Sequence, residues 1–320
     1  MIWGEFALYL VLIIFSGWKL SASADELCEA KNIGKGLIGF VLLGFATSLP
    51  ELITTMTAVL SIGNVSLGSG NIIGSNNANM FILFLSMLTV TTLAKDGRPD
   101  FHNLISAAYL SVITGVFIAG VSMDGNLSIG GFSLPGYVIV LLFFLSLLSL
   151  KNAGMEIEIG KESEKKKLSP FFYIKLSSYL VFLVFVSWKI SFVVDTMATL
   201  YSWSATSAGS IFLAWAKSLP ELVVTVSAII MGAKELGIGN IMGSNIFNMM
   251  ILALADIFSG RESAIFKENN DLMFLTGLFV VMSAALVAML SNRKNKKIFG
   301  ITVIPAIMMA MYIAGMIYSF

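Results

Sequence analysis

Long uninterrupted runs of apolar residues constrain this chain more than any other feature of its sequence. Each run holds about twenty residues, the length at which an α-helix crosses the hydrocarbon core of a bilayer. Apolar residues make up 57% of the chain and charged residues only 12%, whereas a soluble domain carries about 25% charged residues. We therefore predict an all-α membrane protein with ten transmembrane helices. The predicted spans are 4–29, 36–60, 68–93, 103–122, 131–150, 171–198, 207–232, 238–259, 272–291 and 298–318.

An internal repeat divides the chain into two halves. The stretch 47–51, Thr-Ser-Leu-Pro-Glu, corresponds to 217–221, Lys-Ser-Leu-Pro-Glu, and the stretch 70–79 corresponds in the same way to 239–248. Each half holds five spans, an odd number, so the two halves must cross the membrane in opposite senses. The binding sites of such inverted repeats lie near the bilayer midplane, where the halves meet.

The charged residues predict the domain boundaries and the topology. We place the first five-helix repeat at 1–150, a charged cytoplasmic linker at 151–170 and the second repeat at 171–320. If the N-terminus is outside, the outward loops hold only Arg261 and Lys267, and the other loop Lys and Arg residues lie inside. This distribution follows the positive-inside rule. It predicts a multi-pass protein of the plasma membrane with both termini outside.

The Ser-Leu-Pro-Glu phrases combine a helix break with a carboxylate at membrane depth. Pro50 removes a backbone donor and interrupts the helical ladder, which is expected to free main-chain oxygens near Gly44. Thr47 and Glu51 lie four residues apart and therefore share one helix face. Carboxylate, hydroxyl and carbonyl oxygens are the ligands that hard cations prefer. Further candidates of the same kind are Ser48, Ala214, Ser218 and Glu221.

The two Gly-Asn-x-x-Gly-Ser phrases add small and polar residues. Each contains a small-xxx-small pair, which lets helices approach closely: Gly70 with Gly74, and Gly239 with Gly243. Each also places a hydroxyl and an amide on one helix face: Ser75 with Asn79, and Ser244 with Asn248. Proline and small residues often serve only kinking and packing. A glutamate in mid-membrane is costly, and its presence at matching positions of both halves favours a cation site.

The paired phrases resemble those of the sodium/calcium exchanger family of the calcium:cation antiporter superfamily, and the resemblance extends over the whole chain. It implies ten helices, of which the first and sixth slide across the other eight, and exchange of Na⁺ for Ca²⁺ by alternating access. It implies Glu51 and Glu221 as the two central metal-binding carboxylates. The remaining cation ligands that it implies are Thr47, Ser48, Ser75, Asn79, Ser218 and Ser244, with the carbonyls of Gly44 and Ala214. Asn248, a candidate from its spacing to Ser244, stands where many prokaryotic members of the family have Asp.

Lys217 departs from the family pattern, which has Thr at this place. An ammonium beside two ionised glutamates would lower the negative charge of the site and repel a divalent ion. Lys217 could replace one transported Na⁺, titrate and couple proton movement to cation movement, or turn away and leave Ca²⁺ exchange intact. Because Glu221 is four residues away on the same predicted face, we hypothesise that the two side chains pair and that Lys217 changes stoichiometry or selectivity.

Other classes of function stay open at this stage. A proton-coupled or monovalent-cation exchanger is the main alternative. A cation channel predicts rings of identical polar groups, and the two-fold repeat within one chain argues against it. An intramembrane enzyme would use Ser218 with Lys217, but adjacent helix residues point about 100° apart. We expect no enzyme activity, no nucleic-acid partner and no cofactor besides the transported Na⁺, Ca²⁺ or H⁺, with a monomer working in the lipid bilayer and His102 in a solvated loop.

Overall fold

The computed structural model describes two long portions of the chain and several shorter pieces. The described residues are 2–91, 101–123, 128–129, 132–158, 167–202, 215–260 and 264–267, together with 282, 297–298, 301–302, 307, 310 and 313. Apart from residue 282, the predicted span 272–291 therefore lies outside the described residues, as does most of 298–318.

Helices form nearly all of the described chain. They are α1 (Ile2–Lys31), α2 (Lys35–Ile62), α3 (Val65–Thr91), α4 (Phe101–Ser122), α5 (Leu134–Glu158), α6 (Pro170–Leu200), α7 (Leu219–Ile230), α8 (Lys234–Phe258) and the short α9 (Ala264–Lys267). Two short antiparallel pairs accompany them. These are β1 (Ser128–Ile129) with β2 (Phe132–Ser133), and β3 (Lys297–Ile298) with β4 (Ile301–Thr302).

Six of the described helices are long and apolar enough to cross a membrane, namely α1, α2, α4, α5, α6 and α8. Each of the first eight predicted spans overlaps one of the helices α1 to α8, which confirms an all-α membrane protein. Two predicted boundaries are wrong. Helix α5 runs to Glu158, into the predicted linker at 151–170, and the pair β3–β4 stands where the last span was expected to begin. Residues 207–214 of the seventh span lie outside the described part.

Local signals explain where several helices begin and end. The side chain of Ser169 accepts a hydrogen bond from the Phe172 N–H, and Pro170 follows at the first helical position, so α6 begins there. Helices α2 and α3 are separated by Gly63 at φ 75°, and α7 and α8 by Gly232 at φ 84°. Glycine tolerates this left-handed conformation. The two glycines occupy matching positions of the two halves, so the same turn is built twice.

The helices pack as two groups with separate apolar cores. Buried side chains of α1 and α6 pack with parts of α2 and α7 in one core, whereas α3, α4, α5 and α8 share the other. The contacts between halves are reciprocal, since α1 packs against α7 and its counterpart α6 packs against α2. Helix α8 is the most deeply buried of the long helices. This reciprocity is what two repeats facing each other across one site require.

Helices α2 and α8 cross at backbone contact. A Cβ added at Gly44 would lie 2.7 Å from the Ser244 nitrogen, and one added at Gly239 would collide with the Gly36 carbonyl oxygen. A Cβ added at Gly243 would likewise lie 2.3 Å from the Phe40 carbonyl oxygen. The close approach predicted for Gly239 and Gly243 is therefore confirmed, and its partner is α2.

The equivalent approach predicted for Gly70 and Gly74 is not tested by the described residues. A Cβ added at either glycine meets none of them within 4 Å. The stretch 203–214, which corresponds by the repeat to the first half of α2, lies outside the described part. This half of the glycine prediction stays a prediction.

His102 is not the solvated loop residue that its charged neighbours suggested. It lies in α4 and is 1% exposed, and a Cβ added at Gly34 would approach its ring to 2.7 Å. Packing between the start of α4 and the turn before α2 buries the ring. The sequence alone contains no periodic signal of this long-range contact.

The α2–α8 crossing predicts a sharp sensitivity to added volume. In Gly239→Ala the new methyl group must displace the Gly36 carbonyl, so the helices separate and the free energy of unfolding falls by about 1–3 kcal/mol. The measurement is the thermal unfolding midpoint of the purified protein in detergent.

The matched control is Gly115→Ala in α4, where an added Cβ meets none of the described residues within 4 Å. This change should leave the midpoint unaltered or raise it slightly, because alanine favours helix. Equal destabilisation by both changes would contradict a tight crossing at Gly239.

Candidate cation-binding site

Helix α2 carries the first Ser-Leu-Pro-Glu phrase on an α-helical segment that lies between two π-helical segments. The chain is π-helical over Gly39–Gly44 and Thr57–Ile62, and α-helical over Phe45–Met56, with Pro50 inside the α-helical segment. Such π-helical turns often occur at functional sites. The expectation of a freed carbonyl at Gly44 needs correction, because the oxygen that loses its donor to Pro50 is that of Ala46, four residues before. The Gly44 carbonyl accepts from the side chains of Thr47 and Ser244.

Helix α7 begins within the second phrase instead of running through it. Ser218 has φ −87° and ψ 10°, and α7 starts at Leu219 with Pro220 in its first turn. Residues 215–217 form a separate helical turn before this break. Glu221 therefore stands in the first turn of a helix, whereas Lys217 belongs to the segment that precedes it.

The two predicted carboxylates are buried and close to each other. Glu51 is 4% exposed and Glu221 is fully buried, and they are near enough for their charges to repel each other. The Ser75 hydroxyl lies 3.5 Å from Glu51 Oε1. Among the described residues, Glu51 Oε2 and both carboxylate oxygens of Glu221 have no hydrogen-bond partner. Unsatisfied buried carboxylates are costly, and a bound cation removes that cost.

The hydroxyl groups of both phrases line the contact between the halves. Thr47 Oγ1 and Ser244 Oγ are 2.8 Å apart, and the Ser48 hydroxyl donates to the Ser244 carbonyl oxygen at 3.3 Å. In the matching place of the other half, Ser75 Oγ and Ser218 Oγ are 3.4 Å apart. These predicted oxygen ligands are therefore brought together, and all of them are buried.

Four buried asparagines form two amide–amide hydrogen bonds near the crossing of the halves. Asn79 donates its amide to Asn245 Oδ1 at 3.0 Å, and Asn248 donates in the same way to Asn76 Oδ1 at 2.9 Å. The two bonds are equivalent under the repeat, and each crosses between α3 and α8. Asn79 Oδ1 and Asn248 Oδ1 have no hydrogen-bond partner among the described residues. Because the amide nitrogens are engaged, these oxygens are left as acceptors for a cation.

A second pair of asparagines, one in each half, forms matching hydrogen bonds to threonine hydroxyls. Asn71 donates to Thr55 Oγ1 at 3.2 Å, and its counterpart Asn240 donates to Thr225 Oγ1 at 2.9 Å. The oxygen of Asn240 lies 3.5 Å from the Thr47 hydroxyl. The oxygen of Asn71 lies 3.5 Å from Lys217 Nζ. Lys217 thus occupies the place of Thr47 and contacts the matching amide.

The hypothesis that Lys217 pairs with Glu221 is wrong in this structure. The ammonium instead forms an ion pair of 2.9 Å with Asp195 Oδ1 on α6. The hypothesis assumed a continuous helix with both side chains on one face, but the break at Ser218 removes that relation. Lys217 remains within electrostatic range of Glu51.

Most of the predicted ligands lie at this site, although Ala214 falls outside the described residues. Sequence reasoning named Asn79 and Asn248 but missed the residues that hold them, Asn76 and Asn245. It also missed Asp195 as a partner of Lys217. The repeat contained the signal, since Asn76 matches Asn245 and Asn71 matches Asn240.

The donor set distinguishes this site from a transition-metal centre. In the part of the chain that the structure describes, no three His, Cys, Asp or Glu side chains converge to hold a metal ion. The converging groups are two carboxylates with hydroxyl and amide oxygens. Oxygen ligands of this kind suit hard cations such as Ca²⁺ and Na⁺.

A profile described as "Sodium/calcium exchanger protein" matches residues 1–150 and 175–320. The chain belongs to the sodium/calcium exchanger family. The match covers both halves, including the two carboxylates and all four asparagines that orient the amide oxygens. It confirms the resemblance inferred from the sequence phrases.

Individual relatives extend over most of the chain. The sodium/calcium exchanger MaX1 of Methanosarcina acetivorans is 24% identical and aligns with 88% of this chain and 89% of its own. The inner membrane protein YrbG of Escherichia coli K12 is 26% identical over 76% of this chain and 75% of its own. A solved structure of the sodium-calcium exchanger NCX_Mj, soaked with Na⁺ and Sr²⁺, matches with a TM-score of 0.71 at 22% identity, covering 99% of both chains. This match shows the exchanger fold.

The asparagine pairs predict that replacing a residue outside the predicted ligand set will lower the affinity for the cation. In Asn76→Ala the Asn248 amide loses its acceptor and can rotate, so its oxygen is no longer held in one orientation. We expect the Ca²⁺ concentration that gives half-maximal thermal stabilisation to rise about tenfold or more, as for supporting residues of metal sites.

Asn64→Ala is the control. The Asn64 side chain accepts from the Leu67 N–H at the start of α3, away from the site. Its loss should lower stability by about 1 kcal/mol and leave the Ca²⁺ concentration dependence unchanged. If Asn76→Ala behaved like this control, the proposed orienting role would be contradicted.

Proposed function

We propose that this chain is a secondary active antiporter that exchanges Ca²⁺ for Na⁺ by alternating access. The observation that carries the proposal is the buried pair Glu51 and Glu221, three of whose four carboxylate oxygens lack hydrogen-bond partners among the described residues. The amide oxygens of Asn79 and Asn248, on the helices that cross there, lack partners in the same part of the chain. A divalent cation would neutralise both carboxylates. The named exchange activity of MaX1 supports the choice of ions.

The geometry supports competition between ions at shared ligands. Glu51 lies on α2 and Glu221 on α7, and the hydroxyls and amides come from both halves. Na⁺ and Ca²⁺ both bind oxygen, so several Na⁺ ions can replace one Ca²⁺ at overlapping positions. An ion shifts the equilibrium between two conformations only by its difference in affinity for them. Ligands drawn from both repeats supply such a difference, because relative movement of the repeats changes the distances between them. We call this set of carboxylate, hydroxyl and amide oxygens the oxygen cage.

We further propose the setting in which the exchanger works. The distribution of Lys and Arg supports a plasma-membrane protein with both termini outside. All of the ligand candidates that the structure describes come from a single chain, which supports function as a monomer. The ion gradient supplies the free energy of transport, so neither a cofactor nor an enzymatic step is needed.

Position 217 bears on the choice of transported ion. With its ammonium paired to Asp195, Lys217 leaves the two glutamate charges uncompensated by direct contact. This arrangement favours the outcome in which the lysine turns away and divalent exchange is retained. The alternative, a proton-coupled or monovalent-cation exchanger, requires the Lys217 ammonium to move into the oxygen cage.

The test is uptake of labelled Ca²⁺ into proteoliposomes with Na⁺ and pH gradients imposed separately. We expect uptake driven by an outward Na⁺ gradient, and loss of it by at least about tenfold in Glu51→Gln and in Glu221→Gln, since each change removes one of two charges that hold the ion.

Glu5→Gln is the matched control, because Glu5 is an exposed glutamate in the first turn of α1. It should transport like the unchanged protein. Uptake that follows the pH gradient alone would favour the proton-coupled alternative, and flux independent of any counter-ion would indicate a channel.

A further inference from the structure

The ion pair between Lys217 and Asp195 connects the cation site to α6. Lys217 Nζ lies 2.9 Å from Asp195 Oδ1 and 3.5 Å from Asn71 Oδ1. Asn71 is itself fixed by bonds to Thr54 and Thr55 of α2. The ammonium is thus held between α6 on one side and the α2–α3 contact on the other.

The repeat provides an internal comparison for this arrangement. Asp195 corresponds to Asp25 of α1, which forms an ion pair with Lys35 at the start of α2. Thr47, which corresponds to Lys217, carries no charge and contacts Asn240 and Ser244. Both repeats therefore place an aspartate on the helix that packs outside the site. Only the second repeat uses that aspartate to hold a cationic side chain that stands at a ligand position.

The charges around the site explain why this placement matters. The Lys217 ammonium is close enough to act electrostatically on Glu51, although its direct contact is Asp195. Asp195 is half exposed, with 53% of its side chain accessible, whereas both glutamates are buried. An ammonium released from Asp195 would find its strongest remaining attraction in the buried carboxylates, where the effective dielectric constant is lower.

We propose that Asp195 is a specificity-determining residue, which holds the Lys217 ammonium outside the oxygen cage so that Glu51 and Glu221 remain available to a divalent cation. Removal of the Asp195 charge lets the ammonium enter the cage and compete with the ion. The inference rests on the proposed exchange function and adds a residue on α6 to the groups that set its selectivity.

The experiment measures Ca²⁺ binding by thermal stabilisation of the purified protein, and Na⁺-driven Ca²⁺ uptake in proteoliposomes. For Asp195→Asn we expect the half-maximal Ca²⁺ concentration to rise at least about tenfold, from repulsion between the released ammonium and the divalent ion. Asp195→Glu preserves the charge and should retain the affinity of the unchanged protein.

The double variant Asp195→Asn with Lys217→Thr separates this role from a structural one. Once the ammonium is absent, no charge is released when the aspartate is replaced. The Ca²⁺ affinity of the double variant should therefore return to within about threefold of that of the unchanged protein. A residue needed only for folding would not be rescued by a second change. Asp25→Asn, which breaks the corresponding pair with Lys35, is the control and should leave Ca²⁺ affinity unaltered.

The outcomes distinguish this inference from the proposed function. If Asp195→Asn binds Ca²⁺ like the unchanged protein, or if the double variant stays as weak as the single one, the role of Asp195 is contradicted while exchange stands. If the unchanged protein itself shows neither Ca²⁺-dependent stabilisation nor Na⁺-driven uptake, the proposed exchange fails, and this inference fails with it.

Discussion

Two buried carboxylates that lack direct counter-charges govern the architecture of this protein. Burying one ionised carboxylate is costly, and Glu51 and Glu221 are buried close together. Within the described residues, no cationic side chain is paired with either carboxylate, and three of their four oxygens have no hydrogen-bond partner. The Ser75 hydroxyl approaches Glu51, and the Asn79 and Asn248 amide oxygens have no partner within the described part of the chain. A cation bound between the two carboxylates would remove this cost, as the proposed function requires.

The close crossing of α2 and α8 makes such a site possible. Glycines at the contact allow the backbones to touch, and this brings Thr47 and Ser48 of α2 against Ser244 of α8. A larger residue at Gly239 or Gly44 would separate the hydroxyl groups that the two phrases contribute. The same phrases therefore encode both the ligands and the packing that unites them.

The sequence predicted the spans, and which polar residues would come together, far better than the contacts between helices. Glu51, Glu221 and their polar neighbours could be found because burial cost and the repeat act on local patterns. The partner of Lys217 could not be found, because the rule of four-residue spacing requires a continuous helix and the chain breaks at Ser218. Asp195 is close to Lys217 only through the packing of α6, and a contact of that kind leaves no periodic trace in the sequence.

Location of the bound ion tests the central claim most directly. Crystals of the protein soaked with Ca²⁺ can be examined by long-wavelength anomalous scattering, which places the ion independently of the protein atoms. We expect one peak with carboxylate oxygens of both Glu51 and Glu221 at about 2.3–2.6 Å, the coordination distance of Ca²⁺. A Ca²⁺ peak that contacts neither carboxylate, or a Lys217 ammonium occupying the space between them, would contradict the account.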